Sequence, residues 1–249
     1  MNGLFDLTGK VALVTGATRG LGYEIALAYA RAGADIVVSS RKAEACEKVA
    51  AEIRALGRKA LAYPCHVGHW DEIEGLVQSA YDTFGKVDIL VNNAGMSPPV
   101  ARNADVTEEL FDKVLGVNFK GPYRLSTLIC ERMAAGNGGC VINISSAAAE
   151  RPQPTAIPYS GSKAALNAIT LAMAQNYGPK VRVNCIMAGP FLTDIAKAWT
   201  QETLDSIAQY NAVGRPGQPP EIVTMALCLA SPASGYTTGA LIRVDGGIC

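Results

Sequence analysis

A tyrosine and a lysine four residues apart, Tyr159 and Lys163, are the residues of this sequence best suited to acid–base chemistry. Pro158 suits the first turn of a helix, and residues i and i+4 are neighbours on a helix surface. The sequence therefore predicts a helix that starts near Tyr159 and carries both side chains on one face. A nearby ammonium lowers the pKa of a phenol, which is about 10 in free tyrosine, so the pair could exchange a proton with an alcohol or carbonyl oxygen. Such pairs also occur on solvated helix faces, and the interpretation depends on the rest of the chain.

The composition favours a globular protein and argues against several classes of partner. The 249 residues are 49% hydrophobic and 18% charged, and we expect a single domain over residues 1–249. The 22 Lys and Arg residues balance 22 Asp and Glu residues, so nucleic acid is not an expected partner. No apolar run has the length of a membrane span, and no signal-peptide core follows Met1. We expect a cytoplasmic protein with no membrane partner.

The cysteines and histidines do not follow a metal-site pattern. The seven cysteines are scattered and mostly lie in apolar runs, which predicts buried free thiols. No CxxC motif is present, and His66 and His69 are the only histidines. We therefore expect no metal site.

Strand-length apolar runs alternate with helical patterns along most of the chain. Residues 10–15 form the first run, a glycine-rich turn and a helical pattern follow, and residues 35–39 form the second run. Later runs of the same kind occupy residues 59–65, 87–92, 140–145, 181–186 and 240–244. This alternation predicts an α/β fold of the Rossmann type, a doubly wound, mostly parallel seven-stranded sheet with helices on both faces.

The turn after the first predicted strand contains Gly16, Gly20 and Gly22 and leads directly into a helix. Glycine permits sharp turns and a close approach of backbone to ligand, and the N–H groups of a helix N-terminus attract phosphate. The spacing G-x3-G-x-G differs from the commoner G-x-G-x-x-G. With a strand before it and a helix after it, the turn predicts a site for the pyrophosphate of a dinucleotide.

A second loop is expected to cover the ligand. Residues 189–220 contain Gly and Pro clusters on both sides of a helical piece at 194–210. The segment follows the sixth predicted strand, at the edge where such sheets bind ligands. We expect it to act as a lid.

Further polar residues stand at strand ends and on one helix. Ser146 follows the fifth predicted strand, and residues 92–95 read Asn-Asn-Ala-Gly at the end of the fourth. A helical pattern places Phe111, Leu115 and Asn118 on one face, so the Asn118 amide is expected to point inward and to need buried partners. Each of these residues also has a purely structural interpretation, as a residue that forms a turn or that hydrogen-bonds to the backbone.

Together these motifs resemble the classical short-chain dehydrogenase/reductase family over essentially the whole chain. Residues 15–22 look like its TGxxxGxG cofactor turn, residues 92–95 like its NNAG, and Tyr159 with Lys163 like its YxxxK. The resemblance implies a catalytic tetrad. Tyr159 would be the acid/base, and Lys163 would lower its pKa and bind the nicotinamide ribose. Ser146 would orient the substrate oxygen, and Asn118 would hold a water of the proton relay.

The same resemblance implies a set of cofactor-binding residues. Thr193 would bind the nicotinamide carboxamide, as in the family's PGxxxT segment, although this chain has Ala188 in place of the proline before Gly189. The expected set is Gly16, Thr18, Arg19, Gly20, Leu21, Gly22, Ser40, Arg41, His66, Val67, Asn93, Ala94, Gly95, Tyr159, Lys163, Gly189 and Thr193.

Two cations bear on the choice between NADP(H) and NAD(H). An acidic residue after the second strand would accept hydrogen bonds from a ribose 2′-hydroxyl and select NAD. This chain has Ser40 and Arg41 there, and Arg19 in the glycine turn is a second cation. Because guanidinium groups bind phosphate in a fork, we expect NADP(H) to be preferred, with NAD(H) possible.

His66 departs from the family pattern. The family usually carries an aspartate here, whose carboxylate accepts a hydrogen bond from the adenine amino group. A neutral imidazole can still accept through one nitrogen, whereas an imidazolium only donates. The alternative is that His66 turns to solvent and the adenine is held by apolar packing.

The predicted activity is NADP(H)-dependent interconversion of a ketone and a secondary alcohol. The segments expected to line the substrate pocket are mostly uncharged, which favours a small neutral carbonyl or alcohol compound. They are residues 96–99, 147–149, Gln153, Ile157, Ala188 and Phe191. By family resemblance we also expect a homotetramer.

There are three alternatives to this function. A 3-oxoacyl-carrier-protein reductase needs cations beside the pocket to hold its acidic carrier protein. The corresponding stretch of this chain, residues 130–137, contains only one cation, Arg132. A non-catalytic NADP-sensing protein could share the fold, but such proteins usually lose a tetrad residue and this chain keeps all four. A serine hydrolase is not expected, because the sequence has no G-x-S-x-G.

Overall fold

The computed structural model describes residues 3–98 and 100–248, and over these residues seven strands form one parallel sheet in the order β3-β2-β1-β4-β5-β6-β7. The strands are β1 Val11–Thr15, β2 Asp35–Ser40, β3 Ala60–Pro64, β4 Ile89–Asn92, β5 Gly139–Ser146, β6 Val181–Ala188 and β7 Leu241–Val244. The predicted fold class is confirmed, and the sheet is parallel throughout.

Helices cover both faces of the sheet. They are α1 Gly20–Arg31, α2 Ala43–Ala55, α3 Trp70–Phe84, α4 Glu108–Leu115, α5 Gly121–Ala135, α6 Ile157–Tyr177, α7 Gln201–Tyr210 and α8 Val223–Ala230. One core cluster joins α1, α2 and α8 to strand residues such as Val14, and the other joins α3, α5 and α6 to residues such as Leu13. Successive strand residues point to opposite faces, so apolar runs without alternation fit strands buried on both sides.

The strand order reverses between β1 and β4, and glycine holds the two strand ends together there. A Cβ on Gly22 would lie 2.2 Å from Nδ2 of Asn93, and that amide nitrogen donates to the Thr15 carbonyl at 2.8 Å. No larger residue than glycine fits at position 22. The first turn of α1 therefore packs directly against the loop that follows β4, at the crevice where doubly wound sheets bind dinucleotides.

Helices α4 and α5 are joined by a π-helical segment, Gly116–Lys120. Thr107 caps the start of α4 by accepting from the Leu110 N–H at 3.2 Å. Asn118 is fully buried as predicted, but Phe111 is 47% exposed. The expected common face of these two residues is therefore wrong, because the extra residue of a π turn rotates Asn118 relative to α4.

The predicted lid, residues 189–220, contains a 3-10 helix at Asp194–Ala198 and helix α7, and a second 3-10 helix, Pro219–Ile222, begins at its end. An isolated parallel bridge between Phe191 and Gly217 joins its two ends. The cysteines at 46, 65, 130, 140 and 185 are buried free thiols, as predicted, and Cys228 is a half-buried one, whereas Cys249 lies outside the described residues. No helix among the described residues combines the length and apolarity needed to cross a membrane.

A buried chain of polar side chains ties the middle strands to α5 and α6. Nδ2 of Asn92 donates to Oγ of Ser126 and to Oδ1 of Asn143, both at 2.8 Å. Nδ2 of Asn143 donates to Oγ1 of Thr170 at 2.9 Å, and this hydroxyl donates to the Leu166 carbonyl at 2.8 Å. Buried polar groups are costly unless they are hydrogen-bonded, so the network fixes α6 relative to β5.

Thr170→Val tests this network. The substitution keeps the side-chain shape but leaves an Asn143 N–H without its acceptor, which should lower the free energy of unfolding by about 1–3 kcal/mol. The measurement is urea denaturation followed by circular dichroism. Thr170→Ser keeps the hydroxyl and should lose less, and a valine variant as stable as the wild type would contradict the assigned role.

Candidate active site

Tyr159 and Ser146 meet at the carboxyl end of β5. Ser146 is the last residue of that strand, and its Oγ accepts from the Ala148 N–H at 3.1 Å. Pro158 lies in the first turn of α6, as predicted, and the next residue, Tyr159, is half-buried. Burial raises the pKa of Tyr159 above its ordinary value, and a hydrogen bond from Ser146 acts in the opposite direction. The phenol is thus a proton carrier beside a second hydroxyl.

Lys163 lies one turn further along α6, with its side chain turned toward β5. It is only 4% exposed, and its Nζ donates to the Ile144 carbonyl at 2.7 Å. Nζ is 5.8 Å from the centroid of the Tyr159 ring. Burial lowers the pKa of Lys163 to about 8. The expected lowering of the Tyr159 pKa by Lys163 is not seen, because the ammonium binds a strand carbonyl instead of approaching the phenol oxygen.

Asn118 fastens the loop after β4 to the π-helical segment and to α6. Its Oδ1 accepts from the Met96 N–H at 2.9 Å, and its Nδ2 donates to the Met96 carbonyl at 2.8 Å and to Oγ of Ser162 at 3.1 Å. The Ser162 hydroxyl in turn donates to the Tyr159 carbonyl at 2.6 Å. Both N–H groups of the amide and one lone pair of its oxygen are bound by the protein, so the side chain positions these elements.

Gly95 lies where these elements converge. A Cβ at this position would be 3.4 Å from Oδ1 of Asn118 and 3.5 Å from Nζ of Lys163. Lys163, Asn118 and the loop after β4 therefore share one small space. The four residues predicted to form the tetrad occupy one edge of the sheet.

The glycine turn has the features of an anion site. Gly16 and Gly20 have φ values of +64° and +55°, which favour glycine. The N-cap residue of α1, Arg19, makes no side-chain capping bond, and the first turn has no acidic residue. The N-terminal N–H groups of α1 are thus uncapped by side chains and suit a negative ligand. The turn fits the pyrophosphate of a dinucleotide.

A cleft of about 410 Å³ connects this turn to the lid. Gly20 and Glu24 of α1 form one wall, and the other is formed by Leu192, Thr193, Asp194, Ala196, Lys197 and Pro219. A Cβ on Gly20 would lie 3.3 Å from the Thr193 methyl group. Thr193 therefore faces the glycine turn, as expected for a residue that contacts the same ligand. Gly189 lies at the base of the lid, where a Cβ would be 2.5 Å from the Asp245 Cα.

The two predicted phosphate-binding cations are in different situations. Arg19 forms an ion pair with Asp194 of the lid at 3.1 Å, and Lys197 pairs with the same carboxylate at 2.6 Å. Arg41 is exposed and has no ion-pair partner within residues 3–98 and 100–248. Its neighbour Ser40 accepts a hydrogen bond from the Thr18 hydroxyl at 3.0 Å. Arg41 is the cation free to bind a ligand.

His66 lies just beyond β3, next to the buried Val67. Its Nδ1 accepts from the Gly68 N–H at 3.1 Å, and its ring stacks on His69 with a centroid distance of 4.3 Å. Burial lowers the pKa of His66, and the nearby His69 and Arg41 lower it further. His66 is therefore neutral near pH 7, and its ring contacts Gly68 and His69.

Three contributors to the site were not predicted from the sequence. They are Ser162, which links Asn118 to Tyr159, and the backbone groups of Met96 and Ile144. Ser162 lies one helical turn from Tyr159, so its spacing is the only available signal. A backbone donor or acceptor leaves no signal in residue types.

Comparison with known proteins agrees with this geometry. A family profile described as Enoyl-(Acyl carrier protein) reductase matches residues 16–249. The 7alpha-hydroxysteroid dehydrogenase of Escherichia coli is 39% identical over 243 residues, which cover 97% of this chain and 94% of that protein. This chain belongs to the short-chain dehydrogenase/reductase family. It is accordingly an oxidoreductase that uses a nicotinamide cofactor.

Two solved structures of this family are closely similar to this one. A 7alpha-hydroxysteroid dehydrogenase complexed with NADH and 7-oxo glycochenodeoxycholic acid has a TM-score of 0.94 and 38% identity, covering 98% of this chain and 96% of that one. The NADPH-dependent 3-quinuclidinone reductase of Rhodotorula rubra has a TM-score of 0.93 and 30% identity, with coverages of 99% and 93%. Members with this fold thus use either nicotinamide cofactor.

The buried lysine predicts a pH-dependent stability. Lys163 holds its proton up to pH about 8 in the folded enzyme and to about 10.5 when unfolded, so the free energy of unfolding should rise between these pH values. Lys163→Met should remove up to about 3 kcal/mol of this rise. The measurement is urea denaturation of both proteins at pH 7.5 and 10.5.

The control for this experiment is Lys113→Met, at an exposed lysine of α4. It experiences the same ionisation of tyrosines and cysteines at high pH, and it should keep the pH dependence of the wild type. A stability difference between wild type and Lys163→Met that does not change with pH would contradict the burial of a protonated lysine.

Proposed function

We propose that this enzyme is an NADP(H)-dependent oxidoreductase that interconverts a ketone and a secondary alcohol. The observation that carries the proposal is the meeting of Ser146, at the end of β5, with Tyr159, in the first turn of α6, and with the buried Lys163 ammonium one turn further along that helix. When bound, a nicotinamide cofactor supplies or takes up the hydride. The residues of the chain handle the proton and the substrate oxygen.

In the direction of reduction, Tyr159 gives its proton to the substrate oxygen. Because burial raises the pKa of Tyr159, the phenol is protonated near neutral pH and ready to donate. The Ser146 hydroxyl donates a hydrogen bond to the same oxygen and orients the carbonyl. In the direction of oxidation a phenolate must form. For Lys163 to stabilise it, the ammonium has to leave the Ile144 carbonyl and move toward the phenol oxygen.

The surroundings of Tyr159 favour a neutral, largely apolar substrate. A small space beside its ring is bordered by Pro98, Val100, Leu110, Val114, Ala156 and Pro158, none of them charged. The nearest carboxylate in sequence, Glu150, is already paired with Arg243. The relatives named above act on a steroid and on 3-quinuclidinone. A ketone or secondary alcohol on an apolar ring system fits both the lining and these relatives.

The preference for NADP(H) is supported by Arg41. An exposed guanidinium without an ion-pair partner among the described residues, directly after β2, suits a 2′-phosphate. The likeness to an NADPH-dependent reductase agrees with this preference. The likeness to a dehydrogenase complexed with NADH does not distinguish the two cofactors for this chain.

A 3-oxoacyl-carrier-protein reductase is the second candidate, favoured by the description of the matching family profile. The arginines on the surface of α5 argue against this function. The guanidinium of Arg132 lies 4.5 Å from the centroid of the Tyr81 ring and donates to Gln78, and Arg124 lies 4.8 Å from the Trp70 ring. Cations held by their own chain are less available to an acidic carrier protein.

Tyr159→Phe combined with a substrate screen tests the proposed reaction. Neutral ketones, including cyclic ones, are offered with NADPH, and NADPH oxidation is followed by absorbance. The variant should lose about 10²–10⁴-fold in kcat because the proton donor is gone, while its Kd for NADPH stays unchanged. A variant within a few-fold of wild type would refute the assigned acid. Turnover of an acyl-carrier-protein thioester but of no free ketone would favour the second candidate.

Arg41→Asp tests the cofactor preference. Replacing the cation by an anion should weaken NADPH binding at least about tenfold, the loss of one charge-assisted hydrogen bond, and leave NADH binding unchanged or improved. Kd values come from cofactor fluorescence titrations. Arg31→Asp, at the far end of α1, controls for net charge and should bind NADPH like the wild type. A wild type that binds both cofactors equally would contradict the proposal.

A further inference from the structure

The strand order assigns the end of β3 to the adenosine half of the cofactor. This step relies on the proposed function. The glycine turn, which would bind the pyrophosphate, follows β1, and Tyr159 and Lys163 lie on the β5 side of it. A dinucleotide that crosses this turn with its nicotinamide toward Tyr159 must place its adenosine over β2 and β3. The residues that follow these strands are Arg41 and His66.

The ring of His66 is held in a single orientation. It stacks on His69 with an interplanar angle of 16°. Glu72 supports both residues, because its Oε2 accepts from the His66 backbone N–H at 2.7 Å and its Oε1 lies 2.5 Å from Nδ1 of His69. A Cβ on Gly68 would be 2.9 Å from Cε1 of His66 and 3.2 Å from the Val117 side chain. Gly68 thus lies against the imidazole on one side and against the π-helical segment on the other.

The hydrogen bond to Gly68 determines the tautomer. A backbone N–H only donates, so Nδ1 of His66 must be the acceptor in the 3.1 Å contact. A neutral imidazole has one acceptor and one donor, and Nε2 therefore carries the hydrogen. No hydrogen bond of Nε2 occurs within residues 3–98 and 100–248. The free polar atom that His66 offers to a ligand is a donor.

The charges around the ring keep it neutral. Burial, His69 and Arg41 oppose protonation, whereas the backbone of His66 and the Glu72 carboxylate favour it, with the net result that the pKa of His66 is lowered. Protonation would also remove the acceptor that Gly68 uses. The Nε2-protonated neutral form is therefore the form that meets the cofactor at pH 7 to 8.

We propose that His66 recognises the base of the cofactor as a hydrogen-bond donor, from Nε2–H to a purine acceptor, and does not accept from the adenine 6-amino group. The acceptor role expected from the sequence is already taken by Gly68. A donor at this position is satisfied by a ring nitrogen of adenine and equally by the 6-oxygen of hypoxanthine. The enzyme should therefore tolerate a cofactor whose base lacks the amino group.

The test compares NADPH with deamino-NADPH, in which hypoxanthine replaces adenine. Kd values for wild type, His66→Asp and His66→Asn are measured by the fluorescence of the reduced nicotinamide, which does not depend on turnover. Both substitutions keep an oxygen that can accept from Gly68 N–H, so the turn is preserved. They differ in the second atom, which is an acceptor in Asp and a donor in Asn.

Wild type and His66→Asn should bind the two cofactors within about threefold of each other. His66→Asp should prefer NADPH by about tenfold, since its free oxygen needs the amino group; tenfold corresponds to about 1.4 kcal/mol. A wild type that rejects deamino-NADPH tenfold, or three proteins with the same ratio, would overturn the proposal while leaving the proposed function intact. A wild type that binds neither cofactor would instead overturn the proposed function.

Nitrogen NMR of the cofactor-free protein gives an independent readout. Only two histidines contribute signals, and His66→Asn identifies which belong to His66. The expected spectrum shows an unprotonated Nδ1 and a protonated Nε2 for His66 at pH 7.5. A proton on Nδ1 would overturn the proposal.

Discussion

The site depends on a buried lysine ammonium, that of Lys163, which is only 4% exposed. Burial of an unpaired charge is costly, and Lys163 reduces this cost through one strong hydrogen bond to the Ile144 carbonyl and through a lowered pKa. The carbonyl is available because Ile144 lies near the end of β5, and Gly95 leaves space for Nζ. The position of the lysine therefore depends on the end of β5, and Nζ lies close to Gly95 in the loop after β4.

The π-helical segment is the second constraint, and it follows from the first. Asn118 lies in this segment and reaches inward to the backbone N–H and carbonyl of Met96 and to the Ser162 hydroxyl. The segment also needs glycine where it meets α5, since a Cβ on Gly121 would lie 2.0 Å from the Val67 carbonyl. One local irregularity thus connects the residues around Tyr159 to the loop that carries His66.

The sequence predicts what local patterns encode. The strands, the glycine turn and the start of α6 follow from apolar runs, glycine and proline, and the predicted residues do gather at one edge of the sheet. Long-range pairing is not encoded in the same way. The approach of Lys163 to Ile144, the partnership of Arg19 with Asp194 and the exposure of Phe111 depend on the relative placement of distant elements and on a π turn that leaves no residue-type signal.

The ion pair of Arg19 with Asp194 joins the glycine turn to the segment 189–220. The pair is exposed, with 68% and 36% of the two side chains accessible, and such pairs contribute little because water screens them. A phosphate group, with more charge and several acceptor oxygens, competes well for the same guanidinium. Lys197 pairs with Asp194 in any case, so the carboxylate keeps a partner when Arg19 leaves. Arg19 is therefore held at the glycine turn by an interaction that costs little to break, whereas Arg41, directly after β2, has no ion-pair partner among residues 3–98 and 100–248.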